Sequence, residues 1–385
     1  MAGLLLFGDT ARSAALRHEI PAEIIDDLLF AETDGKRFVL TWIFERDRVR
    51  HALPDAEVLD FFSFGYRDLI KDGMSLLEAE REVVTRAVRE IGIDEALIPG
   101  DFPIAIADGL RASGVELRID DDAFELRRRA KSAGELEGVR SAQRAADAAM
   151  GAAAELLSAA EPTDDGWLSV ENDVLTAEHV RSTLRAVCSA RGALCPPDVI
   201  VRSAHQGYGH EPGSGPLMAG LPIVIDIWPR DEASACWADM TRTFLVGAPV
   251  SEHAAAIAER TEVAMRALET ARAAIRPGVS AREPFDLACE VLEGAGYLTQ
   301  RTATRPDETE GFQFALGHGV GLEVHEPPLL GLEGKETLVA GDVVAIEPGL
   351  WDKDVGEIRF EDLVLVTKSG CETLTNFPYG LTPAG

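Results

Sequence analysis

The chain has 385 residues, with 66 acidic against 37 basic side chains and a formal net charge of −29. This length exceeds one typical core and predicts two domains, and the negative charge would repel phosphate backbones and anionic lipid surfaces, so neither nucleic-acid nor membrane partners are expected. The apolar run at residues 4–7 is too short for a signal peptide, no later run reaches spanning length, and the 5 cysteines are scattered and odd in number, so a cytoplasmic protein with reduced thiols is expected.

In chain order, residues 27–32 and 37–42 flank Thr33-Asp34-Gly35-Lys36, a hairpin signal. Residues 75–91 have helical spacing, 96–98 read as a strand, 105–113 as a helix and 115–119 as a strand, which together predict a compact α/β domain over residues 1–125. A long alanine-rich helix at 135–160 ends at Pro162-Thr163-Asp164-Asp165-Gly166, and further helices are predicted at 171–191, 251–275 and 281–294. Between and after them lie the strands that carry the chemistry.

Asp226 closes the apolar run Pro222-Ile223-Val224-Ile225, and Asp239 opens Met240-Thr241-Arg242-Thr243-Phe244. Glu347 ends Val343-Val344-Ala345-Ile346, and Glu361 lies within Ile358-Arg359-Phe360-Glu361-Asp362-Leu363-Val364. The pattern predicts two hairpins, each presenting a facing carboxylate pair. Four carboxylates at the ends of buried strands need strong counter-charge, and hard divalent cations with one imidazole supply it: Mn²⁺, Fe²⁺, Co²⁺ or Zn²⁺ rather than a thiolate-bound zinc. The plainer alternatives are ion pairs of Asp239 with Arg242 and of Glu361 with Arg359, a turn role for His318 between two glycines, and a core histidine at His325. None of these explains why all four acids end or enter apolar strands.

The segment from Gly317-His318-Gly319 to His325-Glu326-Pro327-Pro328, read with Ile346-Glu347-Pro348-Gly349 and Arg359-Phe360-Glu361-Asp362, resembles the metallopeptidase family of methionine aminopeptidase, aminopeptidase P and prolidase. The resemblance covers residues from about 130 onward and implies an α+β chain: a pita-bread catalytic domain at 126–385 preceded by a smaller α/β domain at 1–125 like that of creatinases and prolidases. It further implies that the ligands are Asp226, Asp239, His318, Glu347 and Glu361, holding two divalent metal ions, with Mn²⁺ the leading expectation. Asp226 would serve one metal, His318 and Glu347 the other, and Asp239 and Glu361 both. Glu347 would then be the proton shuttle, His210 and His325 would donate hydrogen bonds to the substrate, and Arg359 and Thr241 would orient carboxylates. His205 is the rival for the place given to His210.

Departures from the family pattern fall on the rim of the site. Pro229-Arg230-Asp231-Glu232 lengthens the loop between the two aspartates, Phe314 and Trp351 stand where other family members carry a histidine and a tyrosine, and Gly356-Glu357 replaces a glycine pair. The expected protein is a two-domain peptidase acting on the Xaa-Pro bond of peptides or dipeptides, and by resemblance a homodimer. The alternatives are a family peptidase without proline preference, creatinase-like amidine hydrolysis, and a binding protein that has kept the fold. The intact ligand set disfavours the last two. A proline pocket would need an apolar wall, for which Phe314, Trp351 and the turn at His325 are candidates, with core packing as their plain alternative.

Overall fold

A computed structural model describes residues 2–383. The chain divides into two compact units, Met1–Arg129 and Ala130–Gly385. The break falls a few residues after the expected boundary at 125/126, because the helix Asp121–Arg129 runs through that point and ends the first unit.

In the first unit a six-stranded sheet has the order Ala56–Asp60, Lys36–Thr41, Leu28–Thr33, Gly3–Gly8, Glu95–Ile98, Glu116–Ile119. The three central strands pair antiparallel and the outer ones add in parallel. Asp34 (φ 50°) and Gly35 (φ 73°) form the tight turn between Leu28–Thr33 and Lys36–Thr41, with positive φ at both central residues as a type I′ turn requires. Alternation along the strands then feeds two cores. Leu29, Ala31 and Leu40 pack with Val83, Val84 and Ala87 of the helix Leu76–Ile91, whereas Leu28, Phe30 and Val39 pack with Leu16 of Ala14–Glu19. The Ser75–Glu78 capping box starts Leu76–Ile91, and Gly92 at φ 83° stops it.

The second unit repeats one plan twice. The helices Ala133–Ser158 and Ala177–Ala190 cover a three-stranded antiparallel sheet of Ile200–Ser203, Ile223–Ile227 and Met240–Phe244, with Ile223–Ile227 in the middle. The helices Ala254–Ala274 and Arg282–Gly294 cover a five-stranded sheet ordered Glu326–Leu330, Gly317–Gly319, Val343–Ile346, Asp362–Val366, Cys371–Thr373. A separate hairpin pairs Gly349–Asp352 with Gly356–Arg359. The alanine stripe Ala142, Ala146, Ala149 and Ala153 is fully buried, so the long helix lies close on its sheet.

One predicted helix is shorter than expected. Residues 171–191 do not form a single helix: Glu171 (φ 56°) and Asn172 (φ 72°) turn a small hairpin between Leu168–Val170 and Asp173–Val174, and the helix starts only at Ala177, where the Thr176 side chain accepts from the His179 N–H. Asn at a positive φ was the missed signal. Among the described residues, no helix is long and apolar enough to cross a membrane, and the cysteines Cys188, Cys195, Cys236, Cys289 and Cys371 are free.

Candidate metal centre

The four acids arrive by two different registers. Val343–Ile346 pairs with Asp362–Val366 so that Ile346 faces Asp362, and Glu347 and Glu361 follow as the next opposed pair beyond the ladder. Asp226 is different. Its cross-strand partner is Thr241, and Ile227 faces Met240, so Asp239 lies diagonally from Asp226 on the same face rather than opposite it. The expected facing pair is therefore a diagonal one, and a hydroxyl occupies the place directly across from Asp226. Glu361 also lies outside any strand, in the break between Gly356–Arg359 and Asp362–Val366.

These registers bring the five predicted ligands together. Ligand atoms of Asp226, Asp239 and Glu361 lie within 4.8 Å of one another, as do those of His318, Glu347 and Glu361 and those of Asp239, His318 and His325. His318 Nε2 is 3.5 Å from Glu347 Oε1 and 3.7 Å from Asp239 Oδ2. Its Nδ1 lies 3.0 Å from the Gly319 carbonyl oxygen; donation to that oxygen turns Nε2 toward the acids, where it donates to Glu347 when protonated and offers a lone pair when it is not. Gly317 and Gly319 have a steric reason: a Cβ on Gly317 would stand 1.9 Å from the Ala345 oxygen, and one on Gly319 would stand 2.3 Å from the Pro327 oxygen. Only glycine lets this strand approach its neighbours closely enough to seat the histidine.

The ion pairs offered as plainer readings form elsewhere. Arg242 pairs with Asp362 at 3.1 Å and donates to the Glu361 carbonyl at 2.7 Å, leaving Asp239 aside. Arg359 donates to Glu347 at 3.0 Å and to Asp226, not to the Glu361 carboxylate. The Glu361 carboxylate instead accepts from the Thr241 hydroxyl at 2.7 Å.

Charge is left over at the centre. Burial, then the neighbouring Glu361 and Asp226, push the Asp239 carboxyl well above the usual range, and burial with Glu347 and Asp226 does the same to Glu361. Burial also raises Asp226 despite Arg359 beside it. Glu347 goes the other way: burial opposes its ionisation, but the hydrogen bond from His318 and the Arg359 charge hold it low. Asp226 Oδ1 and Glu361 Oε1 are buried without a hydrogen-bond partner. Buried carboxylate oxygens with no donor, set among like charges, fit divalent cations by charge and by ligand type.

Two adjoining cavities open on this cluster. One, of about 240 Å³, adds Asp198, His210, Trp228, Val324 and His325 to the acids and His318. The other, of about 390 Å³, shares His210, His318, His325, Glu347 and Arg359 and adds Tyr208, Phe314, Leu329 and Glu357 among its walls. His210 and His325 face each other with ring centroids 6.3 Å apart, and His325 meets His318 edge-on at 4.2 Å. His325 is exposed rather than a core histidine, and burial together with the His318 charge lowers its pKa, which favours the neutral ring. His205 lines neither cavity.

A family model, metallopeptidase family M24, matches residues 137–368. The chain belongs to this family. It is 36% identical to an Xaa-Pro dipeptidase of Pyrococcus horikoshii over 137 residues, 36% of this chain and 35% of the relative, so the match spans about a third of that relative's length. Whole-chain likeness is structural. The prolidase of Pyrococcus horikoshii OT3 superposes with a TM-score of 0.75 at 23% identity, covering 99% of this chain and 95% of that one. The X-Pro aminopeptidase of Thermotoga maritima superposes with 0.76 at 20% identity, covering 99% and 97%. The fold of this M24 chain is thus the pita-bread fold of those proteins, preceded by an α/β domain.

Within the M24 frame, several wall residues had no sequence signal. Trp228 follows the Asp226 strand and Tyr208 precedes His210 in the same loop; both read locally as ordinary aromatics. Trp351, expected in the wall, stands behind it instead: its ring packs edge-on against Tyr208 at 4.8 Å and lines neither cavity. Phe314 does line the larger cavity, below the Arg359 guanidinium at 5.9 Å. A buried ion pair, Lys131 to Glu326 at 2.6 Å, sits one residue from His325, and its partners lie 195 positions apart, beyond any local pattern.

Proposed function

We propose that this M24 chain is a dinuclear metal-dependent peptidase that hydrolyses the Xaa-Pro bond at the N-terminus of peptides or in dipeptides. Asp226, Asp239, His318, Glu347 and Glu361 would hold the ions, with Mn²⁺ as the native metal and Co²⁺, Zn²⁺ or Fe²⁺ as substitutes. The carrying observation is the pair of partnerless buried oxygens, Asp226 Oδ1 and Glu361 Oε1, inside a cluster of acids that raise one another's pKa. Ions held by these residues would supply Lewis acidity, lowering the pKa of a water nucleophile and polarising the substrate carbonyl.

The chain's own groups do the rest. Glu347 is the acid of the cluster held below the usual range, so it is ionised and, beside the His318 imidazole, placed to accept the proton of the attacking water and pass it to the leaving amine. His325, whose lowered pKa favours the neutral ring, and His210, its neighbour across the mouth, donate to the substrate carbonyl and to the oxyanion that develops from it. Arg359 holds Asp226 and Glu347 in place. Proline after the scissile bond removes the amide N–H, and the apolar side of the larger cavity, with Phe314, Leu329 and Tyr208, suits a ring that offers no donor. The free thiols suit a cytoplasmic setting, and the homodimer rests on the family resemblance alone.

Metal-stripped protein reconstituted with each ion and assayed on matched Xaa-Pro and Xaa-Ala peptides tests this reading. Cleavage that returns best with Mn²⁺ or Co²⁺ and favours proline is expected. Metal-independent cleavage would end it, and full occupancy without cleavage would favour a binding protein.

A further inference from the structure

Arg202 is an arginine inside a strand that has no exposed residue, Ile200–Ser203, and its side chain is 3% exposed. A guanidinium held there needs several acceptors, since a buried unpaired charge is costly. It has three. One nitrogen, Nη1, donates to the Gly209 carbonyl at 2.7 Å and to the Glu211 carbonyl at 3.0 Å, the carbonyls of the two residues that flank His210. The other, Nη2, bonds the carboxylate of Glu357, which is equally buried. The second oxygen of Glu357 lies 3.5 Å from Arg359 Nε, an ion-pair contact rather than a hydrogen bond, and Arg359 grips Asp226 and Glu347. Gly213 seals the loop onto the same strand: at φ +73° a Cβ there would stand 2.4 Å from the Val201 oxygen and 2.6 Å from Arg202 Cβ.

Two charges that have no part in holding a metal thus join the loop of His210 to the arginine that holds the acids. We propose that Arg202 and Glu357 are a positioning pair that fixes His210 at the mouth of the cleft, at a set distance from the carboxylate cluster. Neither touches the reacting atoms. Without the pair, the two carbonyls beside His210 lose their side-chain donor within this network, and the remaining bonds grip the loop away from His210: Gln206 to Ser203, Ser214 and Pro216, Val201 N to Pro212 O at 3.0 Å, and Arg181 on the Pro212 and Gly213 carbonyls. His210 would then sample positions away from the substrate while the metal ligands stay in place. The catalytic part of this inference rests on the peptidase reading above; the structural part does not.

The test uses full-length protein with Arg202→Met, Glu357→Gln and the double variant Arg202→Met/Glu357→Leu, which removes both charges and so avoids stranding one of them. Amide hydrogen exchange is followed around His210 in the metal-free protein, and metal content, kcat and KM are measured after Mn²⁺ loading on an Xaa-Pro peptide. Faster exchange at the loop is expected in Arg202→Met and in the double variant, with metal content unchanged and kcat lower by no more than about 10²–10³-fold, the cost of removing an oxyanion donor itself. Adding Arg202→Met to His210→Ala should cost nothing further, because the pair acts through that ring. Unchanged loop exchange in the well-folded double variant overturns the proposal, as does a kcat loss that tracks loss of metal. If the wild-type protein cleaves no Xaa-Pro peptide, the peptidase reading fails while loop exchange still decides for or against the positioning pair.

Discussion

Thr241 donates its hydroxyl to Glu361 at 2.7 Å, from a strand 120 positions earlier in the chain. The bond occupies Oε2 and leaves Oε1 buried without a partner. One oxygen is thereby fixed, in a residue that has a carboxylate oxygen within 4.8 Å of ligand atoms of Asp226 and Asp239. Thr241→Val keeps the shape and removes the donor, a change worth about 1.5–3 kcal/mol for a hydrogen bond to a charged group. Metal affinity, measured by competition with a chelator, should fall by about 10–100-fold while the fold persists. Wild-type affinity in this variant would show that Glu361 is oriented by other contacts.

Among the described residues at the cluster, Arg359 is the permanent cation that faces the acids before any metal binds, beside the titratable His318, and it bonds Asp226 and Glu347 at once. Its own pKa rises well above normal, because although burial disfavours the charge, Glu357, Asp226 and Glu347 outweigh that cost. Arg359→Met should destabilise the metal-free protein by about 3–5 kcal/mol, the range for breaking a buried ion pair on one side. Bound cations replace part of that charge. Urea unfolding should therefore show a smaller loss in the metal-loaded form, and equal losses in both forms would contradict the role given to Arg359.

The raised carboxyls make a pH prediction with a definite sign. Asp226, Asp239 and Glu361 have folded pKa values above their unfolded ones, so the native state binds these protons more tightly and stability falls as pH rises from the ordinary carboxylate range through the raised values. His318, also raised, loses its contribution in the same direction. Glu347 is lowered and weakens the fold only at more acid pH. Metal-free protein scanned by calorimetry should melt at lower temperature at about pH 8 than at about pH 6. Metal-loaded protein should lose or reverse that slope, since ligation needs the deprotonated acids. A flat profile in the metal-free protein would mean the acids are not the buried cluster described.

The histidines should separate by what they lose. His318→Ala should lose metal, because its Nε2 faces Glu347 and Asp239. His210→Ala and His325→Ala should keep metal and lose about 2.7–4 kcal/mol of transition-state stabilisation each, as for an oxyanion donor. Phe314→Ala should narrow the ratio of kcat/KM between Xaa-Pro and Xaa-Ala peptides at constant metal content. If His205→Ala proved more damaging than His210→Ala, the assignment of the first histidine would be wrong.

Much of the site was legible because carboxylates and an imidazole at the ends of apolar strands have few other uses. The Asp34-Gly35 turn was legible for a local reason, its positive φ values. Register was not. Whether Asp226 faces Asp239 or Thr241 depends on a shift of pairing that strand composition does not encode, and the diagonal arrangement appears only once Ile223–Ile227 is seen against Met240–Phe244. The helix expected over 171–191 failed at Glu171 and Asn172, where a left-handed turn outweighed helical spacing. Arg202 and Glu357 were equally hidden, since a partner 155 positions away leaves no periodic trace.

The central claim is that the acid cluster holds two catalytic ions. Titrating chelator-stripped protein with Mn²⁺ while following hydrolysis of an Xaa-Pro peptide measures stoichiometry and activity together. Saturation at about two ions per chain is expected, with activity rising as the second site fills, and loss of both in Glu361→Ala, which would remove the residue proposed to serve both ions. Undiminished hydrolysis by the stripped protein, or by Glu361→Ala, would contradict it.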